Sequence, residues 1–198
     1  MKRFIFLSLG GIALLSCAPQ QTKLTLEKEN QIKQVGEESA MKLLKSLRAE
    51  LMQALQKGSP EQAVEVCSKR AMDITTQIER ETGHKVKRTT FKYRNPNNRP
   101  DRYEEEALRY FEEAINKDGK LPGYYIQTVK EDGTLTYRYY KPLKVEGLCL
   151  TCHGDKNLMD KNLVSKIEKL YSTDKAFGYR EGDFRGVVRV SVPADKIK

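Results

Sequence analysis

Cys149, Cys152 and His153 stand together in the run Cys149-Leu150-Thr151-Cys152-His153. Two thiols at this spacing can add to the two vinyl groups of one haem, and the adjacent imidazole then reaches the iron. The two thioether bonds would fix the porphyrin face that His153 meets. The expectation is one covalent c-type haem with His153 as proximal ligand. The same residues have two plainer readings, a Cys149–Cys152 disulfide or half of a zinc site. Zinc would need a second ligand pair, and beyond Cys17 the chain offers only Cys67 and His84. Iron accounts for the motif better.

For the opposite side of the iron the candidates are Cys67, His84 and several methionines. Ala63, Cys67, Ala71, Ile74 and Ile78 fall on one apolar stripe of a predicted helix, which turns Cys67 inward. Ala63 and Ala71, one turn to either side, are small enough for a flat ring to approach. If Cys17 is lipidated and the haem takes Cys149 and Cys152, Cys67 is an odd thiol in an oxidising compartment. Thiolate is a known haem ligand; a buried, inert core cysteine fits the helix geometry equally well. Met159 lies only six residues past His153, too near to cross to the other face. Met41, Met52 and Met72 read as core packing, and His84, after Gly83, reads as a surface turn residue. Arg94, Asn95 and the tyrosines of 124–140 are candidates to meet the haem propionates, with a solvated face as the plain alternative.

The N-terminus indicates the compartment. Lys2 and Arg3 precede an apolar run from Phe4 to Leu15, followed by Ser16-Cys17-Ala18. A basic start, a short apolar stretch and small residues read as a signal peptide over 1–16, too short to span a bilayer as a stable helix. Leu-Leu-Ser-Cys resembles a bacterial lipoprotein box, with Cys17 as the diacylated first mature residue; a plain secretory signal cleaved nearby is the alternative. The expectation is a protein on the periplasmic side, held to a membrane through its N-terminal lipid. Ala18 after the cysteine favours the outer membrane where the host has one.

The elements that must position these residues follow in order. Residues 17–27 read as a lipidated tether and 28–198 as one domain. Ile32, Val35, Ala40, Leu43, Leu44, Leu47, Leu51 and Leu55 predict a long amphipathic helix from about 28 to 56. Ser59-Pro60-Glu61-Gln62 is a capping box that starts a second helix, running to about Glu81. Residues 85–93 alternate as a strand, 95–101 form a loop, and 102–116 form a third helix. Strands 124–130 and 134–140, joined by Glu131-Asp132-Gly133, form a hairpin. The C-x-x-C-H follows, then a short helix over 160–171 and a last strand over 186–192. Helices first and an antiparallel sheet afterwards make the class α+β. A cytochrome c′-like four-helix bundle also carries its C-x-x-C-H late, but the strands argue against it.

Ala63-Val64-Glu65-Val66-Cys67, the loop Arg94-Asn95-Pro96-Asn97-Asn98-Arg99-Pro100, the approach Tyr140-Lys141-Pro142-Leu143 into Cys149-Leu150-Thr151-Cys152-His153-Gly154, and the segment from Gly178 to Gly186 together resemble the PAS-like c-type haem domain family of cyanobacterial and proteobacterial periplasmic proteins. The resemblance covers nearly all of 30–195. It implies a PAS-like antiparallel sheet with long N-terminal helices and one covalent haem. It also implies His/Cys ligation, with His153 as the imidazole and Cys67 as the thiolate. Members of that family also serve as sensor modules of membrane signalling proteins; no kinase or cyclase segment follows here.

The formal net charge is +9 in 198 residues. Basic and acidic residues alternate (Lys28-Glu29, Glu79-Arg80-Glu81), so the chain reads as a mixed, solvated surface and not a nucleic-acid binder. The favoured function is a redox or diatomic-gas sensing or binding module with a periplasmic redox or signalling partner. The alternative is a periplasmic one-electron carrier. A haem enzyme of peroxidase type is less favoured, because no distal histidine presents itself.

Overall fold

The computed structural model describes residues 24–198 except Asp132. The signal peptide 1–16, the lipidation candidate Cys17 and the tether up to residue 23 lie outside the described residues. Helix α1, Leu26–Lys57, opens on Thr25, whose hydroxyl accepts the Lys28 amide, and therefore takes in the last residues assigned to the tether. Gly58 ends it. Helix α2, Pro60–Thr82, starts with the predicted capping box, Ser59 and Gln62 each accepting the other's backbone amide. Gly83, at φ 72°, closes it in the left-handed conformation.

Strand β1 covers Lys85–Thr89, helix α3 Arg102–Asp118, β2 Tyr125–Glu131, β3 Thr134–Lys144 and β4 Phe184–Pro193. Two short helices, α4 (Leu150–His153) and α5 (Lys161–Leu170), fill the connection between β3 and β4. All four strands pair antiparallel in the order β1-β4-β3-β2. The class is α+β, as expected. Two strands differ in extent from the sequence reading. β1 stops at Thr89 because Gly186 of β4, at φ 136°, brings its backbone against Thr89: a Cβ there would sit 2.4 Å from the Thr89 carbonyl oxygen. β3 runs on through Pro142 because beyond Tyr140 it has left β2 and pairs with β4 alone, which relaxes the demand for an amide donor.

The sheet is covered on both faces. Ile32, Leu43, Ile74 and Ile78 of α1 and α2 pack against Val86, Tyr139, Val188, Val190 and Val192. Ala107, Leu108 and Phe111 of α3 pack on Tyr140 and Val187 from the other side. A third cluster joins Val64 of α2 to Leu163 and Ile167 of α5. The fully buried positions of α1 are Ile32, Gly36, Ser39, Ala40 and Leu43. Further along, Leu47, Leu51, Ala54 and Leu55 are only half-buried. No helix among the described residues is long and apolar enough to cross a membrane.

Candidate haem site

The C-x-x-C-H spans a tight turn at 147–149 and the four-residue α4, with Gly154 closing the turn onto the Leu150 carbonyl. Nothing in so short a helix is self-sustaining, and the surrounding chain supplies the support. Arg94 donates to the Cys152 carbonyl at 2.6 Å and to Asp174 at 2.9 Å. Asp174 in turn accepts the Ala176 amide at 2.7 Å. The Gly178 amide donates to the Gly154 carbonyl and the Tyr179 amide to the His153 carbonyl. On the other side, Arg48 of α1 pairs with Glu146 at 2.7 Å, just before the motif.

His153 Nδ1 lies 2.8 Å from the Ala176 carbonyl, so it carries the proton and donates, which leaves Nε2 as the free nitrogen. Burial, with Arg185 and Arg94 adding repulsion, holds the imidazole well below its ordinary pKa. It is therefore neutral and able to bind a metal. Cys149, Cys152 and Cys67 are free thiols, each half-buried. The disulfide reading of the motif is thus not what the structure holds. Nor does any group of three or more His, Cys, Asp or Glu side chains among the described residues converge as a zinc site would require.

Cys67 lies on the predicted stripe of α2. Ile74 and Ile78 of that stripe are buried against the sheet and Ala63 is buried further along, while Cys67 and Ala71 between them are only partly covered. Cys152 packs at the edge of the α2–α5 cluster with Met159, Tyr171 and Phe177. Its thiol lies within electrostatic reach of Cys67, so the C-x-x-C-H and the Cys67 turn of α2 share one neighbourhood. Burial pushes both thiols up, with Glu50 adding to the rise at Cys67 and Arg88 opposing it.

The donor set, a neutral imidazole and thiols, suits haem iron. The half-covered Cys67 and Ala71 on α2 offer surface that a flat apolar ring would bury. The open groove between the two helices, about 480 Å³ and bordered by Glu50, Ala54, Glu65 and Val66, contains neither thiol nor imidazole of this set.

The chain belongs to the Tll0287-like family. The family model matches residues 20–193. That span holds Cys67, Cys149, Cys152 and His153 and leaves Cys17 outside. The crystal structure of the cyanobacterial heme-protein Tll0287 is similar, with a TM-score of 0.57 and 24% identity over 86% of this chain and 97% of that one. At that identity the likeness is one of fold. No curated protein matches the sequence.

Within this Tll0287-like domain several candidates fall away from the site. His84 bonds Ser39 of α1 at 3.3 Å, at the foot of β1, and is half-buried. Met52 and Met72 are exposed, not core, because the outer faces of α1 and α2 carry them. Arg94 is committed to Asp174 and Cys152. Asn95 is spent on the turn at 96–98, where it accepts the Asn97 amide. Tyr124 donates to Glu29 and Tyr139 to Glu37, both on α1, and Tyr140 donates to Gln127 of β2, so the hydroxyls of these three are taken up in holding the sheet together and to α1. Sequence reasoning missed Asp174 and the Ala176 carbonyl, which orient His153; any residue can supply a carbonyl, so no side-chain signal announces it. It also passed over Arg88 and Arg185, although Arg88 shares the apolar phase of β1 with Val86.

Proposed function

We propose that the chain is an exported, lipid-anchored monohaem c-type cytochrome with a PAS-like domain, acting as a redox or diatomic-gas sensing module and not as an enzyme. The observation that carries the reading is the pairing of a neutral His153, oriented through Nδ1, with a half-covered Cys67 in the same neighbourhood. Membership of the family, with a solved structure titled a heme-protein, supports the cofactor. The antiparallel sheet with two long helices on one face supports the PAS-like reading.

Cys149 and Cys152 would hold the ring through two thioethers, and His153 Nε2 and Cys67 would be the ligands to its iron. Haem, when bound, supplies an iron that exchanges one electron and can take a small axial ligand. The protein residues then divide the work. Ala176 and Asp174 keep the imidazole in one tautomer and orientation. α2 carries Cys67 and packs along α1 on one side and α5 on the other. A thiol that could be either bound or free would change what α2 is attached to, and a two-state element of this kind is what a sensor needs. His84, bound to Ser39, is not available as a distal acid or base.

The test is expression with the haem-maturation machinery. Haem should remain on the polypeptide after denaturing electrophoresis, and ferric optical and EPR spectra should be low-spin with thiolate character. Cys67→Ala should convert them to another ligation state. Absence of covalent haem overturns the reading, and a Cys67→Ala spectrum identical to wild type removes Cys67 from the iron. Slow reduction with a change of ligand supports sensing, whereas fast reversible exchange with a periplasmic donor supports the electron carrier.

A further inference from the structure

We propose that Arg88 and Arg185 form the seat for the two propionate carboxylates of the haem, and so decide which edge of the ring points into the protein. The proposal rests on the haem reading above.

It starts from an imbalance. Most partly buried guanidinium groups in the chain have a carboxylate. Arg138 pairs with Asp101 and Glu131, Arg189 with Glu104, and Arg94 with Asp174. Arg88 and Arg185 do not. Arg88 sits on β1 opposite Val188, on the sheet face that carries Val86, Val188 and Val190, where a charge is out of place. It is partly buried, and among the described residues it has no hydrogen-bond acceptor and no carboxylate at ion-pair distance. No fully buried side-chain nitrogen lacks a partner, so the Arg88 nitrogens open onto accessible space. Arg185 makes two long, neutral hydrogen bonds, 3.2 Å to the Lys92 carbonyl and 3.4 Å to the Tyr179 hydroxyl, and lies over the Tyr179 ring at 5.0 Å; the carboxylate it feels, Asp174, is at bonding distance of Arg94 and not of Arg185.

Burial disfavours the charge of each, and each feels a further cation, Arg88 that of Arg185 and Arg185 that of Arg94. Two like charges taken from water with no counter-ion are costly. The fold tolerates them because a dianion belongs between them. Their placement fits an edge of the ring. Arg185 lies over Tyr179, whose ring meets that of His153 edge-on with centroids 6.3 Å apart, and His153 feels its charge, while Cys67 feels that of Arg88. The pair thus reaches both segments that would hold the iron, and the propionates of a haem held there would project from one edge of the ring. Each guanidinium presents a planar fork that matches a carboxylate. The charges also match, two cations against two carboxylates. Protein carboxylates nearby are taken: Asp174 serves Arg94, and Glu50 lies 3.7 Å from Arg70.

The experiment compares resonance Raman spectra of the mature holoprotein in wild type, Arg88→Gln and Arg185→Gln, with exposed Arg80→Gln as control. The propionate bending bands should shift in the first two variants and stay in place in the control. The midpoint potential should fall in both variants, since a cation near the iron is lost. Unshifted bands in both variants with haem attached overturn the proposal. A fall in potential without a band shift also overturns it, since any nearby cation would cause that. If Arg88→Gln fails to mature, Arg88→Lys keeps the charge without the fork; a displaced band supports the proposal and an unchanged one refutes it. Added phosphate should leave the wild-type bands in place; a shift would mean that the arginines bind free anions. A wild-type protein without covalent haem would refute the haem reading instead.

Discussion

Replacing Asp174 by asparagine isolates the strut behind the imidazole. The Asp174 side chain is 3% exposed and that of Arg94 13%. One oxygen accepts from Arg94 at 2.9 Å, the other from the Ala176 amide at 2.7 Å. Asparagine can keep the Ala176 bond but turns an amino group toward a guanidinium donor. A charge-assisted bond is lost and Arg94 is left half-sheltered, retaining only the Cys152 carbonyl. Breaking a buried ion pair costs about 3–5 kcal/mol. Because Arg94 keeps one acceptor and some solvent, the lower end applies, about 3 kcal/mol. Asp174→Ala, which loses the Ala176 bond as well, should cost about 1 kcal/mol more. Urea denaturation at neutral pH reads the difference, with exposed Ser172→Ala expected within about 0.5 kcal/mol of wild type. A loss below about 1 kcal/mol for Asp174→Asn would refute the strut, since the 174–176 loop would then hold His153 without it.

Gly36→Ala should destabilise, against the helix-propensity gain of about 1 kcal/mol. The new Cβ would lie 2.2 Å from the Tyr139 ring, which is buried and rigid, and a net loss of about 1–2 kcal/mol is expected by denaturation. Glu104→Gln should cost about 3 kcal/mol or more, read as a lower urea midpoint. The fully buried Glu104 carboxylate pairs with both Lys87 and Arg189 and accepts the Asp101 amide. Glu65 is held down to about 2 by Lys166 and Lys69. A carboxylate lowered on folding stabilises above its unfolded pKa of 4.5, so this α2–α5 tie should weaken only as pH falls from 4.5 toward 2, seen as loss of the Glu65→Gln effect on stability across that window.

What the sequence disclosed and what it withheld divide along range. α1 and α2 were legible because the spacing of Leu43, Leu47 and Leu51 and the box at Ser59–Gln62 act within one or two turns. The β2–β3 hairpin was legible from Glu131-Asp132-Gly133 for the same reason. The placing of β1 beside β4 was not: Val86 meets Val190 across about a hundred residues, and alternation alone names no partner. Cys67 could be singled out because an odd thiol on an apolar stripe is a local anomaly. Asp174 lies in a loop and Arg185 at the very start of β4, and the neighbours of both are set only by tertiary docking, so their roles required the fold.

The partly covered turn of α2 is the point at which stability and function diverge. A core optimised for packing alone would place a larger side chain at Ala71 or Cys67 and cover that turn of α2. It would also pair Arg88. Instead the chain leaves apolar surface half covered, two cations without carboxylates and a neutral imidazole with one nitrogen free, all around one segment. Each feature alone costs stability, and a single flat, apolar, dianionic group resolves all three. On the haem reading proposed above, that convergence adds to the C-x-x-C-H, because the motif speaks only to attachment, whereas the half-covered turn and the arginines speak to the shape and charge of the group that would be held.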